Sequence, residues 1–126
     1  VQKMLWSRAQ KLPLYLSGNA AAHTAFPDGF YGSTGESILA DADTLDNILQ
    51  SLRIESADYV KMDIEGSEIE ALQGMTKTMQ SVAQMAIAAY HPVDGKLAHT
   101  VVVPFLETLG FKTTYADGLV TASAII

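Results

Sequence analysis

The chain has 126 residues with 48% hydrophobic and 17% charged side chains, which describes one folded globular domain rather than a disordered segment. Eight basic against fourteen acidic residues give a net charge of −6, which argues against a nucleic-acid or anionic-membrane partner. There is no cysteine, so disulfide and thiolate chemistry are excluded.

No apolar run reaches the length of a membrane span, and residues 1–11 lack the continuous apolar stretch of a signal peptide. A cytoplasmic location is expected. In chain order, a helix is expected over 2–11, ending before Pro13 because the residue ahead of a proline disfavours helix. Leu14-Tyr15-Leu16 reads as a short strand closed by Ser17-Gly18-Asn19. Residues 23–42 carry the turn signals Pro27-Asp28-Gly29 and Gly32-Ser33-Thr34-Gly35 and read as a loop or loose hairpin. The run 32–37 lacks the Lys of a phosphate-binding loop and follows no clear strand.

Asp43 or Thr44 caps the next helix, with Leu45, Ile48, Leu49 and Leu52 as its apolar stripe. A strand over 58–64 follows. Ile69, Leu72, Met75 and Met79 then recur at helical spacing over 67–80. Met85 to Tyr90 is a continuous apolar run short enough for a buried strand, and it ends at His91-Pro92. A helix is expected within 94–109, starting late or kinked because of Pro104, and stopping at Gly110. Two last strands, 111–116 and 119–126, are joined by Asp117-Gly118, a strong hairpin signal.

The alternation of strands and helices predicts an α/β fold of three layers with a mostly parallel sheet that ends in an antiparallel hairpin. Ligands of such sheets bind beyond the carboxyl ends of the strands. Asp63, Glu65 and Gly66 stand at one such end, and Tyr90 and His91 at the next. Asp63-x-Glu65-x-x-Glu68 can hold a divalent cation, serve as a general base, or dress the first turn of a helix. Helix-terminus chemistry explains Glu68 best and does not explain Asp63, which lies within the strand pattern. Lys61 shares a face with Asp63 and reads as its ion-pair partner. His91 reads equally as an acid/base group or as a satisfied strand-end imidazole; His23 and His99 read as surface or packing residues. Met62, Met75, Met79 and Met85 read as core filler.

The segments TLDNIL at 44–49 and DYVKMDIEGSEIEALQGM at 58–75, followed by MAIAAYH and PFLETLGF, resemble the FkbM-like family of S-adenosylmethionine-dependent methyltransferases. The resemblance implies a partial class I methyltransferase, Rossmann-like fold, with 58–64 as its fourth strand and 84–90 as its fifth. It implies methyl transfer to a hydroxyl of a small molecule or sugar, S-adenosylmethionine as cofactor, and Asp63, Glu65 and His91 as the catalytic group. Asp63 and, at an adenine edge, Asn19 are the implied cofactor contacts; no metal ligand is implied.

The family's acidic-Gly-x-Gly cofactor loop is not found among these residues. The whole chain, 1–126, is therefore expected to be one domain that forms the C-terminal part of a longer methyltransferase. A strand left without its neighbour exposes an edge, so a homo-oligomer is expected. Two alternatives stand beside the enzyme: a non-catalytic methyltransferase-like remnant used for binding or dimerisation, and a metal-dependent hydrolase using Asp63, Glu65 and Glu68.

Overall fold

The structure is a computed structural model, and it describes residues 1–27 and 33–125. Among the described residues, nine strands and three helices run in the order β1 (Met4–Leu5), β2 (Gln10–Ser17), β3 (Ser33–Asp43), α1 (Leu45–Ser51), β4 (Tyr59–Met62), α2 (Glu68–Gln73), β5 (Gln84–Ala88), β6 (Pro92–Val93), β7 (Lys96–Leu97), α3 (His99–Thr108), β8 (Phe111–Ala116) and β9 (Leu119–Ala124). Short 3-10 turns occupy Ala20–Ala22 and Thr78–Gln80.

The strands form separate sheets. One has the order β1-β3-β2, a second β4-β5-β9-β8, and β6 and β7 make a small hairpin. β4 and β5 run parallel, whereas β5–β9 and β8–β9 are antiparallel. The sheets are therefore mixed, which corrects the mostly parallel arrangement expected from the strand–helix alternation. The order β4-β5-β9-β8 does contain the expected terminal antiparallel hairpin. Its turn at Asp117 and Gly118 takes positive φ at both residues, 51° and 83°, the geometry that matches strand twist.

The expected helix over 2–11 is absent; β1, a bend and the start of β2 replace it. Leu12, Leu14 and Leu16 continue a period-two pattern backwards from the recognised strand, and β2 pairs with β3 from Gln10 to Tyr15 and again at Ser17, with an irregularity between. Pro13 is tolerated because β2 is an edge strand, where proline removes no essential ladder bond. The loop or loose hairpin expected within 23–42 is corrected: most of its second half belongs to the eleven-residue strand β3, which pairs antiparallel with β2 outside that range. Of the turn signals placed there, Asp28, Gly29 and Gly32 lie outside the described residues.

Thr44 is the N-cap of α1, its hydroxyl accepting from Asn47 N at 3.0 Å. The core lies between the four-stranded sheet and helices α2 and α3. Met62, Leu72, Met75, Met85, Ile87, Val102, Leu106 and Val120 are its largest fully buried apolar side chains. The other face of the sheet, with Tyr59, Lys61, Gln84, Thr121 and Ser123, is exposed. Among the described residues, helices α2 and α3 cover one face of this sheet. This also explains Lys61: on a strand with one wet face it needs no buried partner. β4 is the last strand of its sheet, and its outer edge has no strand neighbour among the described residues.

Candidate functional site

β4 and β5 are adjacent and parallel, so their carboxyl ends open on the same side of the sheet. Asp63 follows β4 directly, and His91 lies three residues beyond β5. Between β4 and α2 the chain reverses in a turn closed by Ser67 N donating to Ile64 O at 3.3 Å. Both central residues of that turn, Glu65 and Gly66, have positive φ, 53° and 97°. Glycine adopts this conformation freely, but a side chain there carries a steric penalty. Glu65 is held in it by Thr24, whose hydroxyl donates to the Glu65 carbonyl at 2.8 Å.

This turn aims two carboxylates at one imidazole. Glu65 Oε2 lies 3.1 Å from His91 Nε2, and Glu68 Oε1 lies 3.6 Å from His91 Nδ1. Glu68, in the first turn of α2, is completely buried. Its Oε1 accepts from Ile64 N and Gly66 N, so the carboxylate closes the turn as well as facing His91. Its Oε2 is buried and has no hydrogen-bond partner among the described residues.

Burial presses the His91 pKa down, but hydrogen bonding to Glu68 and the charges of Glu68, Glu65 and Asp63 outweigh it. His91 therefore titrates above the ordinary imidazole value. Burial raises the Glu70 carboxyl; its own backbone N–H opposes that, and the charges of Asp94 and Glu68 add to it.

Asp63 completes the group. One donor atom from each of Asp63, Glu65 and His91 lies within 4.8 Å of the others. The Lys61–Asp63 pair is long and exposed, 3.9 Å with side chains 66% and 38% accessible, so it contributes little and leaves Asp63 available. The three expected catalytic residues are thus brought together. Asn19 is not part of the group: it is exposed, and its side-chain oxygen caps the turn Ala20–Ala22 by accepting from Ala21 N at 3.1 Å.

Helix-terminus chemistry, expected for Glu68 from the sequence, does not include its contact with His91. The available signal was its i+5 spacing from Asp63 within the DIEGSE run. Thr24 gave no signal at all, because it meets Glu65 from 41 residues away.

Two further motif residues are structural. The Asp46 carboxylate accepts from Lys77 N, Thr78 N and the hydroxyls of Thr76 and Thr78. Burial raises its pKa, but these hydrogen bonds outweigh it, and the net effect is a lowered value. Gly74 ends α2 against the N-terminal segment, where a Cβ would stand 2.2 Å from the Trp6 carbonyl oxygen.

A family model described as the methyltransferase FkbM domain matches residues 3–113. The chain is also similar to a hexuronic acid methyltransferase, AglP, of Haloferax volcanii, with 37% identity over 51 residues. That match takes in 40% of this chain and 21% of the relative, so the chain spans only a minor part of the curated relative it matches. No solved structure gives a significant match. With the domain model covering most of its length, and its motif residues forming the turn and strand ends described above, the chain belongs to the FkbM methyltransferase family.

Proposed function

We propose that this chain forms the acceptor side of an S-adenosylmethionine-dependent methyltransferase site, and that the acceptor is a hydroxyl of a sugar or other small molecule. The observation that carries this reading is the convergence of Asp63, Glu65 and His91 beyond the carboxyl ends of two adjacent parallel strands. The similarity to a protein named as a hexuronic acid methyltransferase favours a sugar acid among acceptors.

The described residues fit the acceptor better than the cofactor. Among the described residues, the turn that joins a strand directly to a helix through a positive-φ glycine lies against side chains: a Cβ on Gly66 would come into ordinary contact with Phe26 at 3.5 Å and Val93 at 3.8 Å. The Asn19 side chain is engaged in its cap. The chemistry assigned to these residues is therefore confined to the acceptor.

Asp63, with its side chain 38% accessible, is the group an incoming hydroxyl meets, and it accepts the proton as the acceptor oxygen becomes a nucleophile. His91 is 1% exposed and acts through Glu65, holding that carboxylate in place beside Asp63. Fixing the acceptor against these groups supplies the orientation on which a direct displacement depends. We place this activity in the cytoplasm; among the described residues no helix is long and apolar enough to cross a membrane.

The test is transfer of a labelled methyl group from S-adenosylmethionine to a panel of sugars and sugar acids. Asp63→Asn should lower the rate about 10²–10⁴-fold, the range of a positioned general base. Retention of full activity by Asp63→Asn would remove Asp63 as the base. Failure of the chain to bind any of these acceptors at millimolar concentration in calorimetry would favour a second reading, a binding or dimerisation module. The open edge of β4 is the observation that supports that module.

A further inference from the structure

We propose that Asp63, Glu65 and His91 form a binding site for a divalent first-row metal ion of the Mn²⁺ class. The site goes beyond methyl transfer and can be tested without it.

Two observations carry the proposal independently. First, the three donor atoms come from a strand end, a strained turn and the neighbouring strand end, yet all lie within 4.8 Å of one another. Two carboxylate oxygens and one imidazole nitrogen are thus close enough together to share one ion. Second, the far nitrogen of His91 is backed by a carboxylate that does not belong to the trio. Glu68 Oε1 lies 3.6 Å from His91 Nδ1, and Glu68 is completely buried and anchored by Ile64 N and Gly66 N. A carboxylate behind a histidine is the arrangement that fixes ring orientation and tautomer in metal centres. Glu68 Oε2, also buried, has no partner among the described residues.

Charge points the same way. Asp63, Glu65 and Glu68 set three carboxylates around one imidazole, and Lys61 reaches Asp63 only at 3.9 Å and in solvent. Glu68 is completely buried and the Glu65 side chain is 13% accessible, whereas Asp63 faces solvent; a divalent cation between Asp63 and Glu65 would offset carboxylate charge that one imidazole leaves in excess. Mixed oxygen and imidazole donors without thiolate suit Mn²⁺ better than the all-oxygen preference of Mg²⁺ or Ca²⁺. Three protein ligands leave coordination positions on the side where Asp63 is accessible, open to water or to hydroxyl and carboxylate oxygens of an acceptor.

The experiment is a titration of Mn²⁺ into the metal-stripped 126-residue protein, followed by calorimetry, by loss of the free Mn²⁺ electron-spin resonance signal, and by melting temperature. One Mn²⁺ per chain should bind and raise the melting temperature, and the bound ion should show nitrogen hyperfine coupling. Asp63→Asn, a change at a partly exposed position that leaves the core untouched, should abolish binding. His91→Gln should remove the nitrogen coupling, and Glu68→Gln should weaken binding by about 10–100-fold, as expected for a group behind a ligand. Failure of the folded protein to bind Mn²⁺ at millimolar concentration would overturn the proposal. So would binding that Asp63→Asn leaves unchanged, or bound Mn²⁺ without nitrogen coupling. None of these readouts requires methyl transfer, so the metal site can fail while the acceptor-site reading stands, and the reverse.

Discussion

Glu68 and His91 are both buried, come from the start of α2 and the segment after β5, and face one another at 3.6 Å. The same Glu68 oxygen closes the turn that carries Glu65. One carboxylate therefore sets both the backbone from which Glu65 projects and the imidazole that Glu65 meets. Glu68→Ala should leave the amides of Ile64 and Gly66 without an acceptor and cost about 2–3 kcal/mol of stability, since each buried unsatisfied group costs ~1–3 kcal/mol. Glu68→Gln keeps an acceptor oxygen and should lose clearly less. Urea denaturation of the two variants measures the difference; equal losses would show that the hydrogen bonds to the turn carry no weight.

The turn itself gives a second prediction. A Cβ on Gly66 would make only ordinary contacts, with Phe26 and Val93, so the obstacle to a side chain is its φ of 97°. Gly66→Ala should destabilise by about 1–2 kcal/mol, the penalty of a left-handed conformation for an L-residue. It should also disturb the acceptor site, because the turn must relax. If Gly66→Ala matches the parent in thermal melts, the turn does not hold the positive φ described here.

Gly74 differs in kind. Its φ of −86° suits any residue, and helix propensity alone would favour alanine. Space decides the sign: the new Cβ would meet the Trp6 carbonyl oxygen at 2.2 Å, and a backbone atom cannot swing aside as a side chain can. Gly74→Ala should cost about 1–3 kcal/mol, as overpacking does. Trp6 is the only tryptophan in the chain, so displacement of the 4–6 segment should appear as a shift in its fluorescence. A stabilised variant with unchanged emission would contradict the close approach.

What could be read from sequence, and what could not, follows from the range of the forces involved. The Asp117-Gly118 turn, the Thr44 cap and the late start of α3 rest on neighbours a few residues apart, and all are found. The meeting of Asp63, Glu65 and His91 was legible because adjacent parallel strands must end on one side. Gln10 and Lys11 are strand rather than the expected helix because their partners, Ala42 and Asp41 on β3, lie about 30 residues away. Tertiary pairing overrides weak local propensity in such strands. The burial of Glu68 was hidden for a similar reason: it depends on how α2 lies against the segment after β5.

Asp46 supplies a prediction in pH. Four donors around residues 76–78 converge on its carboxylate, and its folded-state pKa lies below the ordinary value. A carboxyl lowered on folding contributes stability above its unfolded pKa of about 3.9 and loses it as pH falls through the lower folded value. Asp46→Ala should destabilise by about 1–2 kcal/mol near neutral pH, a figure kept small because the site is partly exposed. Below the folded-state pKa the parent should lose part of its advantage, so the two stability curves converge. Curves that stay parallel from pH 7 to pH 2 would show that the Asp46 charge contributes nothing.

The outer edge of β4 gives the last prediction. β4 ends its sheet, and on its exposed face Tyr59 is 57% accessible. An open strand edge offers unpaired amides and carbonyls to another chain unless charge, proline or a bulge blunts it. Lys61 and Asp63 place charges beside this edge, but they partly neutralise one another. We propose that two copies of the chain pair through β4. Light scattering coupled to size exclusion should show mass rising towards that of a dimer with concentration. Tyr59→Lys, which adds an unpaired positive charge to the same strand of both copies, should shift the equilibrium to monomer. A monomer at every concentration would sink the proposal, and a dimer indifferent to Tyr59→Lys would move the interface elsewhere.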